Sequence, residues 1–404
     1  MNREGEKELK GKLYYEDAYL RDFKTKLVSQ QQCEDGRWFA QLEETAFYPT
    51  GGGQPSDTGT LNNSMVTEVE EVEGIIRHYI DRPLEGTYEI SGAINWTRRF
   101  DHMQQHAGQH ILSASFSKSL GYETVSFHLG RDTCTIDINT SALTEEESSK
   151  AEALANQVIL QNQPIHTKWI NKEEVDQYPL RKKPAVEGDI RLVIIPEFDY
   201  NGCGGTHPRS TGEVGMIKIL NWEKQKKNTR VTFVCGQRVA EQLHEKNSIL
   251  KELTGVLNAP PSEMLSAVRT LIENGNKNEK LLEEARETIL VYEAEDLIKS
   301  SVDIGGVKVV KKVLQRRSMA DMQKMARTIL QTHEVVVLLV SENGDKMQYV
   351  FGSCSSCQKD MKELIGVALA LTDGKGGGNP SMAQGGGSAV ISGEELLDRL
   401  LDKF

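Results

Sequence analysis

Nine histidines and six cysteines are spread over 404 residues, and four of them fall into two pairs with the spacing of metal ligands. The first pair is His106 and His110 in D-H-M-Q-Q-H-A-G-Q-H-I-L, residues 101–112, a stretch that reads as helix. Residues four apart on a helix are neighbours, roughly 5–6 Å between Cβ atoms, so two imidazoles there converge on one ion. Phe100, Met103, Ala107, Ile111 and Ala114 supply a separate apolar stripe that docks the helix. The second pair, Cys203 and His207, repeats the spacing in N-G-C-G-G-T-H-P on a glycine-rich turn. Three imidazoles and one thiolate make a zinc-like donor set. The bland alternative is a core histidine pair and an unrelated buried cysteine; two such pairs in one chain favour a site. His102 lies one turn before His106 and offers a rival H-x3-H pair, so spacing alone leaves its membership open.

Residues so far apart in sequence need a sizeable fold to bring them together, and 404 residues are enough for two or three domains with their own cores. The 38% hydrophobic and 26% charged fractions are those of an ordinary water-soluble protein. No apolar run is long enough to span a membrane, and the polar start M-N-R-E-G-E-K is no signal peptide, so we expect a cytoplasmic protein. Scattered cysteines do not form a disulfide framework, and Cys203 must stay reduced to bind metal. The formal charge of −11 argues against indiscriminate nucleic-acid binding but allows a local basic patch.

Residues 13–100 are strand-like, with K-L-Y-Y, K-L-V-S and R-W-F-A-Q-L separated by turn signals, which predicts a small antiparallel barrel or sandwich. Within it, F-Y-P-T-G-G-G-Q-P-S-D-T-G is too glycine-rich for a strand interior. It is no phosphate-binding P-loop, because no Lys-Ser/Thr follows the glycines. A plain turn and a functional loop fit it equally well. The histidine helix should end at Gly121. Two strands paired around Gly130 follow, then an amphipathic helix over residues 143–161 opened by Thr144, and further strand runs flank C-G-G-T-H. This pattern predicts an α+β domain with helices on one face of its sheet. From Gln237 the chain turns to long helical runs broken at Pro260 and Pro261, suited to a coiled-coil-like hairpin. Val239, Leu243, Leu250, Leu253 and Leu257 are too many apolar residues to leave exposed on a lone arm; they should pack on the helical run itself, on residues 305–404 or on a second chain. The last hundred residues alternate strands and helices and end in G-K-G-G-G-N-P-S-M-A-Q-G-G-G. We therefore expect a barrel-like domain over 1–91, an α+β domain over 92–236 holding all four ligands, a helical connector over 237–300 and a C-terminal α/β glycine-rich domain over 301–404.

H-A-G-Q-H followed by C-G-G-T-H resembles the editing domain of alanyl-tRNA synthetases and their freestanding AlaX-type relatives. The C-terminal glycine cluster is similar to that of the synthetases' C-terminal domain, a module shared with DHH-type phosphoesterases, so the resemblance spans nearly the whole chain, as in the long form of AlaX. It implies one zinc per chain on His106, His110, Cys203 and His207, with His102 outside the site. It also implies that Gly51, Gly52, Gly53 and Gln54 face the substrate, with Thr45 a weaker candidate, and that Gly204, Gly205 and Thr206 do so from the second motif. The C-terminal half would grip tRNA through Lys308, Lys311, Lys312, Arg316 and Arg317. Other basic clusters, Arg98-Arg99, residues 181–183 and Lys224 to Lys227 with Arg230, are individually solvated faces that together form a discontinuous phosphate track. Cys354-x-x-Cys357 invites a zinc or redox reading, but no second Cys pair completes a zinc ribbon, and Cys134 and Cys235 read as packing residues.

The implied activity is hydrolysis in trans of the ester joining serine, and glycine, to the alanine tRNA; no catalytic residue is assigned. Zinc lowers the pKa of a bound water or polarises a carbonyl, and backbone N–H groups of a glycine loop can receive an oxyanion. Four protein ligands nevertheless describe a closed site. Either a ligand is displaced, or the zinc only orders the pocket; the sequence leaves both open. The alternative is a tRNA-binding or regulatory protein with a purely structural zinc. A homodimer through the C-terminal half is a further expectation.

Overall fold

In the computed structural model, which describes residues 11–86, 88–182 and 188–404, the chain divides into two compact units. The first runs up to Glu252 and the second starts at Leu253. The boundary therefore falls inside the expected helical connector, and the barrel and the region 92–236 belong to one unit.

The first unit opens on a single helical turn, α1 (Leu13–Glu16), where K-L-Y-Y read as strand. Tyr14 is buried there and packs edge-on against Tyr48, so a tertiary contact overrides the local strand propensity. Six strands then close a barrel: β1 (Asp22–Gln32), β2 (Trp38–Leu42), β3 (Gly59–Leu61), β4 (Ser64–Val72), β5 (Ile75–Ile80) and β6 (Glu89–Ile94), in the order β1-β2-β5-β4-β3-β6. Closure removes the free edges, and Phe23, Phe47, Leu61, Val69 and Ile90 fill the interior.

The histidine stretch belongs to α2 (Trp96–Leu120), capped by Asn95 at its start and by Gly121 in the left-handed conformation at φ 72°. The docking stripe is not its only buried face. From His102 to Phe116 every residue is buried, because α2 is a central helix wrapped on all sides. Around it lie β7 (Thr124–Leu129), β8 (Cys134–Ile138), α3 (Glu145–Leu160), β9 (His166–Ile170), β10 (Ile190–Ile195), β11 (Asp199–Gly202), β12 (Ile217–Gln225) and β13 (Asn228–Cys235). The helix α3 starts on a capping box between Thr144 and Glu147. The strands form two sheets where one was expected, β12-β13-β8-β7 and β11-β10-β9. Ile111, Leu112 and Phe116 of α2 share one core with Ile136, Phe233 and Val193, residues drawn from both sheets. Gly108 lets the helix approach β13 closely, since a Cβ there would lie 2.1 Å from Cys235 Sγ. Cys134 and Cys235 are fully buried.

Helix α4 (Gln237–Leu257) follows, then a 3-10 turn at Pro261–Glu263 and the 36-residue α5 (Met264–Lys299). Of the apolar residues of α4, Val239 and Leu257 are half-buried, while Leu243 is 69% exposed and Leu250 and Leu253 are each 40% exposed. Only the end of α5, through Leu290, Ala294 and Leu297, joins a core of the second unit.

That unit is built on β14 (Val302–Ile304), β15 (Val307–Gln315), α6 (Met319–Thr332), β16 (Val336–Asn343), β17 (Lys346–Ser353), α7 (Met361–Leu371), β18 (Lys375–Gly378), β19 (Met382–Ser388) and α8 (Gly393–Leu401). The sheet order is β14-β15-β16-β17-β19-β18, and β15 and β16 run parallel. The unbroken apolar run of β16 has a simple cause: Val336, Leu338 and Val340 enter one core while Val337 and Leu339 enter the other. The glycine cluster is the hairpin β18–β19. Cys354 and Cys357 form a disulfide across a short 3-10 turn, with Cα atoms 5.4 Å apart.

Candidate metal centre

The barrel and α2 are joined before any ligand is placed. Arg99, in the first turns of α2, is fully buried and ion-paired with Asp57, its Nε 2.9 Å from Oδ1, and it also donates to the carbonyl of Ala46. The expected basic surface pair Arg98-Arg99 is therefore half structural. Asp57 in turn accepts the N–H of Tyr48 at 2.6 Å, which fixes the glycine-rich segment against the helix. Within that segment Gly51 and Gln54 exchange backbone hydrogen bonds of 3.0 and 2.9 Å around Gly52 and Gly53, both at positive φ. This tight two-residue turn suits glycine at both positions. Its consequence is the placement of Gln54.

Gln54 is fully buried, and its Oε1 accepts from His106 Nδ1 at 3.0 Å and from the Thr206 N–H at 3.1 Å, while Nε2 donates to Thr206 Oγ1 at 2.8 Å. An amide oxygen only accepts, so His106 carries its proton on Nδ1 and turns the lone pair of Nε2 inward. His110 has the same support: Asp199 Oδ2 lies 3.1 Å from its Nδ1, and Arg181 Nε holds Asp199 at 2.8 Å. Cys203 Sγ lies 3.3 Å from His106 Nε2 and 3.4 Å from His207 Nε2. The four donor atoms of His106, His110, Cys203 and His207 all fall within 4.8 Å of one another. Tetrahedral zinc with ordinary Zn–N and Zn–S bonds separates its donors by about 3.3–3.6 Å. The set fits such an ion, and the four ligand candidates of the sequence are brought together.

Protonation favours ligation at three of the four groups. Burial, then the charge of Arg191, brings His106 down to about 4. Burial, with the neighbouring imidazoles, holds His207 well below the ordinary range. Burial alone would raise the Cys203 thiol, but His110, the Gly205 N–H and Arg191 outweigh it and bring it below the usual value. Neutral imidazoles and a thiolate are the forms that bind a metal, and His106, His207 and Cys203 shift toward them. His110 shifts the other way, because its burial is outweighed by the Cys203 thiolate and Asp199, which raise it above the ordinary value, so a metal would displace its proton. Phe127 stacks on His106 at 5.6 Å between centroids. Gly205 must be bare, because a Cβ there would sit 2.2 Å from His106 Cε1. Arg191, 6% exposed, donates to the carbonyls of Cys203 at 3.0 Å and Gly205 at 2.8 Å, and stacks over Tyr15.

His102 is not in the cluster. Thr45 has its Oγ1 2.8 Å from His78 Nε2 and accepts the Phe47 N–H at 3.1 Å. Gly204 lies beside Tyr15, whose Oη would be 3.3 Å from an added Cβ. The N–H groups of Gly51, Gly205 and Thr206 are already taken by Gln54 O, Cys203 Sγ and Gln54 Oε1. The basic set of β15 is split. Lys308 and Lys312 share one face of the strand and Lys311 the other, where it pairs with Asp398 at 2.9 Å, and Arg317 pairs with Glu293. Arg316, at φ 53°, is exposed just after the strand. Arg181 and Arg230 are tied to Asp199 and Asp137, and Lys183 lies outside the described residues. Sequence reasoning missed Asp199, Arg191 and Phe127. Only Asp199 carried a signal, standing four residues before Cys203 at the spacing of the ligand pair itself.

Residues 190–232 match the family described as threonyl and alanyl tRNA synthetase second additional domain, and residues 306–404 match the DHHA1 domain. The chain is 31% identical over 407 residues to the alanyl-tRNA editing protein AlaX-L of Pyrococcus horikoshii, covering 97% of this chain and 98% of that one. It is 31% identical to the alanine–tRNA ligase of Pyrococcus furiosus, covering 96% of this chain but only 43% of the ligase. It is 34% identical to the alanyl-tRNA editing protein Aarsd1-A of Xenopus laevis over 72% of this chain and 74% of that relative. With a match to AlaX-L along almost the full length of both chains, this chain belongs to the AlaX-type alanyl-tRNA editing protein family, in its long form.

Proposed function

We propose that this chain is an aminoacyl-tRNA deacylase that acts in trans, in the cytoplasm, on alanine tRNA mischarged with serine, and with glycine, at a site organised by one zinc ion. The observation that carries the reading is the set His106, His110, Cys203 and His207, three buried imidazoles and a half-buried thiol, with Gln54 and Asp199 locking the two helical imidazoles. The similarity to the alanyl-tRNA editing proteins AlaX-L and Aarsd1-A supports it. In the reaction a water oxygen bonds to the ester carbonyl carbon, the ester C–O bond breaks, and the ribose oxygen leaves with a proton. Zinc held by these four residues would supply positive charge at the site. Gln54 and Asp199 fix the tautomer and tilt of the imidazoles, Arg191 holds the Cys203–Gly205 backbone, and bare Gly205 keeps space beside His106. Serine differs from alanine by one hydroxyl, and a site that hydrogen-bonds it rejects the analogue that leaves a polar group unpaired.

Four protein ligands leave no open metal position, which favours a second reading, a tRNA-binding or regulatory protein with a purely structural zinc. Deacylation of alanine tRNA charged with serine, glycine or alanine, with and without chelator, separates the two. We expect the seryl and glycyl esters to be hydrolysed, the alanyl ester spared, and turnover lost on chelation while folding and tRNA affinity persist. No turnover of any of the three esters by the zinc-loaded chain would rule the deacylase out.

A further inference from the structure

His102 stands one turn before His106 on the same helix, outside the metal cluster. It is 4% exposed, and its Nδ1 has no hydrogen-bond partner. A buried polar atom left unpaired costs free energy unless something supplies its partner. His102 lines a cleft of about 840 Å³ between the start of α2, the β7–β8 turn at Gly130 and Arg131, and the start of α4. One wall is aromatic. Trp96 and Phe100 lie 5.5 Å apart with their rings inclined by 30°, and Arg21 over Trp96 at 4.2 Å and Tyr19 at 5.3 Å from it fix the indole.

The charges around the cleft are not balanced. Arg238 is spent, bound through two nitrogens to Asp101 and through a third to the Gly130 carbonyl. Arg98 is fixed at the wall by its Nε bond of 2.9 Å to the Ser56 carbonyl. Neither Arg98 nor Arg131 has a carboxylate ion-pair partner among the described residues, although acids outnumber bases in this chain; Glu241 on the rim offsets one charge. Flat aromatic surface, two guanidinium groups and one unpaired imidazole nitrogen match unpaired nucleotides: a base to stack, phosphates to neutralise and a polar edge to bind. Four residues of helix rise about 6 Å, which places His102 one turn from His106, the first metal ligand on α2.

We propose that this cleft seats the unpaired 3′ nucleotides of the RNA whose terminal ester lies at the metal cluster. A base packs on the wall made by Trp96 and Phe100, Arg98 and Arg131 receive phosphate oxygens, and His102 hydrogen-bonds a base edge or ribose hydroxyl. The assignment rests on the deacylase reading for the identity of the RNA, but its test does not need turnover. The probes are an acceptor-stem RNA hairpin with an unpaired 3′ CCA tail and the same hairpin cut blunt, titrated against the zinc-loaded full-length protein. The tailed hairpin should bind more tightly, and Trp96→Leu, His102→Ala and Arg131→Glu should each erase about tenfold of that advantage, with Trp96→Phe retaining it. Arg131 lies on an exposed turn, so Arg131→Glu probes the cleft without touching the core. Zinc content and thermal unfolding report whether each variant is folded. Equal binding of the two hairpins, an advantage unchanged in Arg131→Glu and Trp96→Leu, or competition by cytidine monophosphate as strong as by the tail would overturn the proposal. If the tail advantage falls in the variants yet the wild type deacylates nothing, the cleft stands and the deacylase reading fails. If seryl-tRNA is hydrolysed with an unchanged KM in all three variants, the cleft assignment fails and the enzyme stands.

Discussion

Each metal ligand on α2 depends on a residue that is not a ligand. Gln54 holds His106, and Asp199 holds His110. Removing such a partner from an imidazole typically weakens metal binding about 10–100-fold. Gln54→Ala and Asp199→Asn should therefore retain zinc at saturation but lose that factor in chelator competition, whereas Cys203→Ala should lose most of its zinc, because the thiolate is the softest donor. Gln54→Ala with unaltered zinc affinity would show that the Oε1 contact does not matter. His78 gives a separate test by pH. Its Nδ1 faces the Ala40 carbonyl, so it carries the proton there, and Nε2 accepts from Thr45. Burial, opposed only by that carbonyl, lowers its pKa from 6.5 to about 4. The unfolded chain takes up this proton first as pH falls, so the contribution is complete above pH 6.5 and is lost progressively toward pH 4. The loss amounts to about 3 kcal/mol at roughly 1.4 kcal/mol per pH unit. Urea midpoints followed over that range should lose about one proton of pH dependence in His78→Gln.

At the scale of the element, the question is why a helix interior tolerates glycine in H-A-G-Q-H. Glycine costs roughly 1 kcal/mol against alanine in an exposed helix, so Gly108→Ala would stabilise an isolated α2. In the fold the new Cβ would meet Cys235 Sγ at 2.1 Å and its Cβ at 3.1 Å. Overpacking of this kind costs about 1–3 kcal/mol and outweighs the propensity gain. Thermal unfolding should show Gly108→Ala destabilised, with part of the loss recovered in the double variant Gly108→Ala/Cys235→Ala. The glycine loop answers to the same scale. Thr45 has its hydroxyl proton committed to His78, so Thr45→Val should destabilise the barrel by about 1–3 kcal/mol through an unpaired buried nitrogen. A serine-to-alanine rate ratio that moves without this loss would mark Thr45 as a residue that reads the substrate.

Across the whole molecule, the outstanding feature is apolar surface on the long helices. Leu243 on α4 is 69% exposed, and on α5 Leu271 and Leu282 are each at least 60% exposed, each helix carrying further exposed apolar residues. Surface of this extent commonly marks association. We expect the chain to self-associate through it: sedimentation should give a dimer for the wild type and a monomer for Leu243→Glu/Leu271→Glu, with zinc content unchanged. A wild type that is monomeric across the micromolar range would show that these helices meet another partner or remain bare.

The sequence by itself determined the local features and the donor types. His106 and His110 share a helix edge because a helical period puts residues four apart together, and Cys203 and His207 could be recognised as donors from chemistry and spacing alone. The barrel was legible in alternating strands and turn signals, and the ends of α2 and α3 in Gly121 and Thr144, because these signals act within a few residues. What only the tertiary structure decided was long-range. It placed Gln54 behind His106 and Asp199 behind His110, left His102 outside the cluster, spent Arg99 on a buried ion pair and divided the basic run of β15 between two faces of a sheet. Each of these depends on which side chain a distant segment presents, and a buried polar group is assigned by its partner, which no local spacing in the chain specifies.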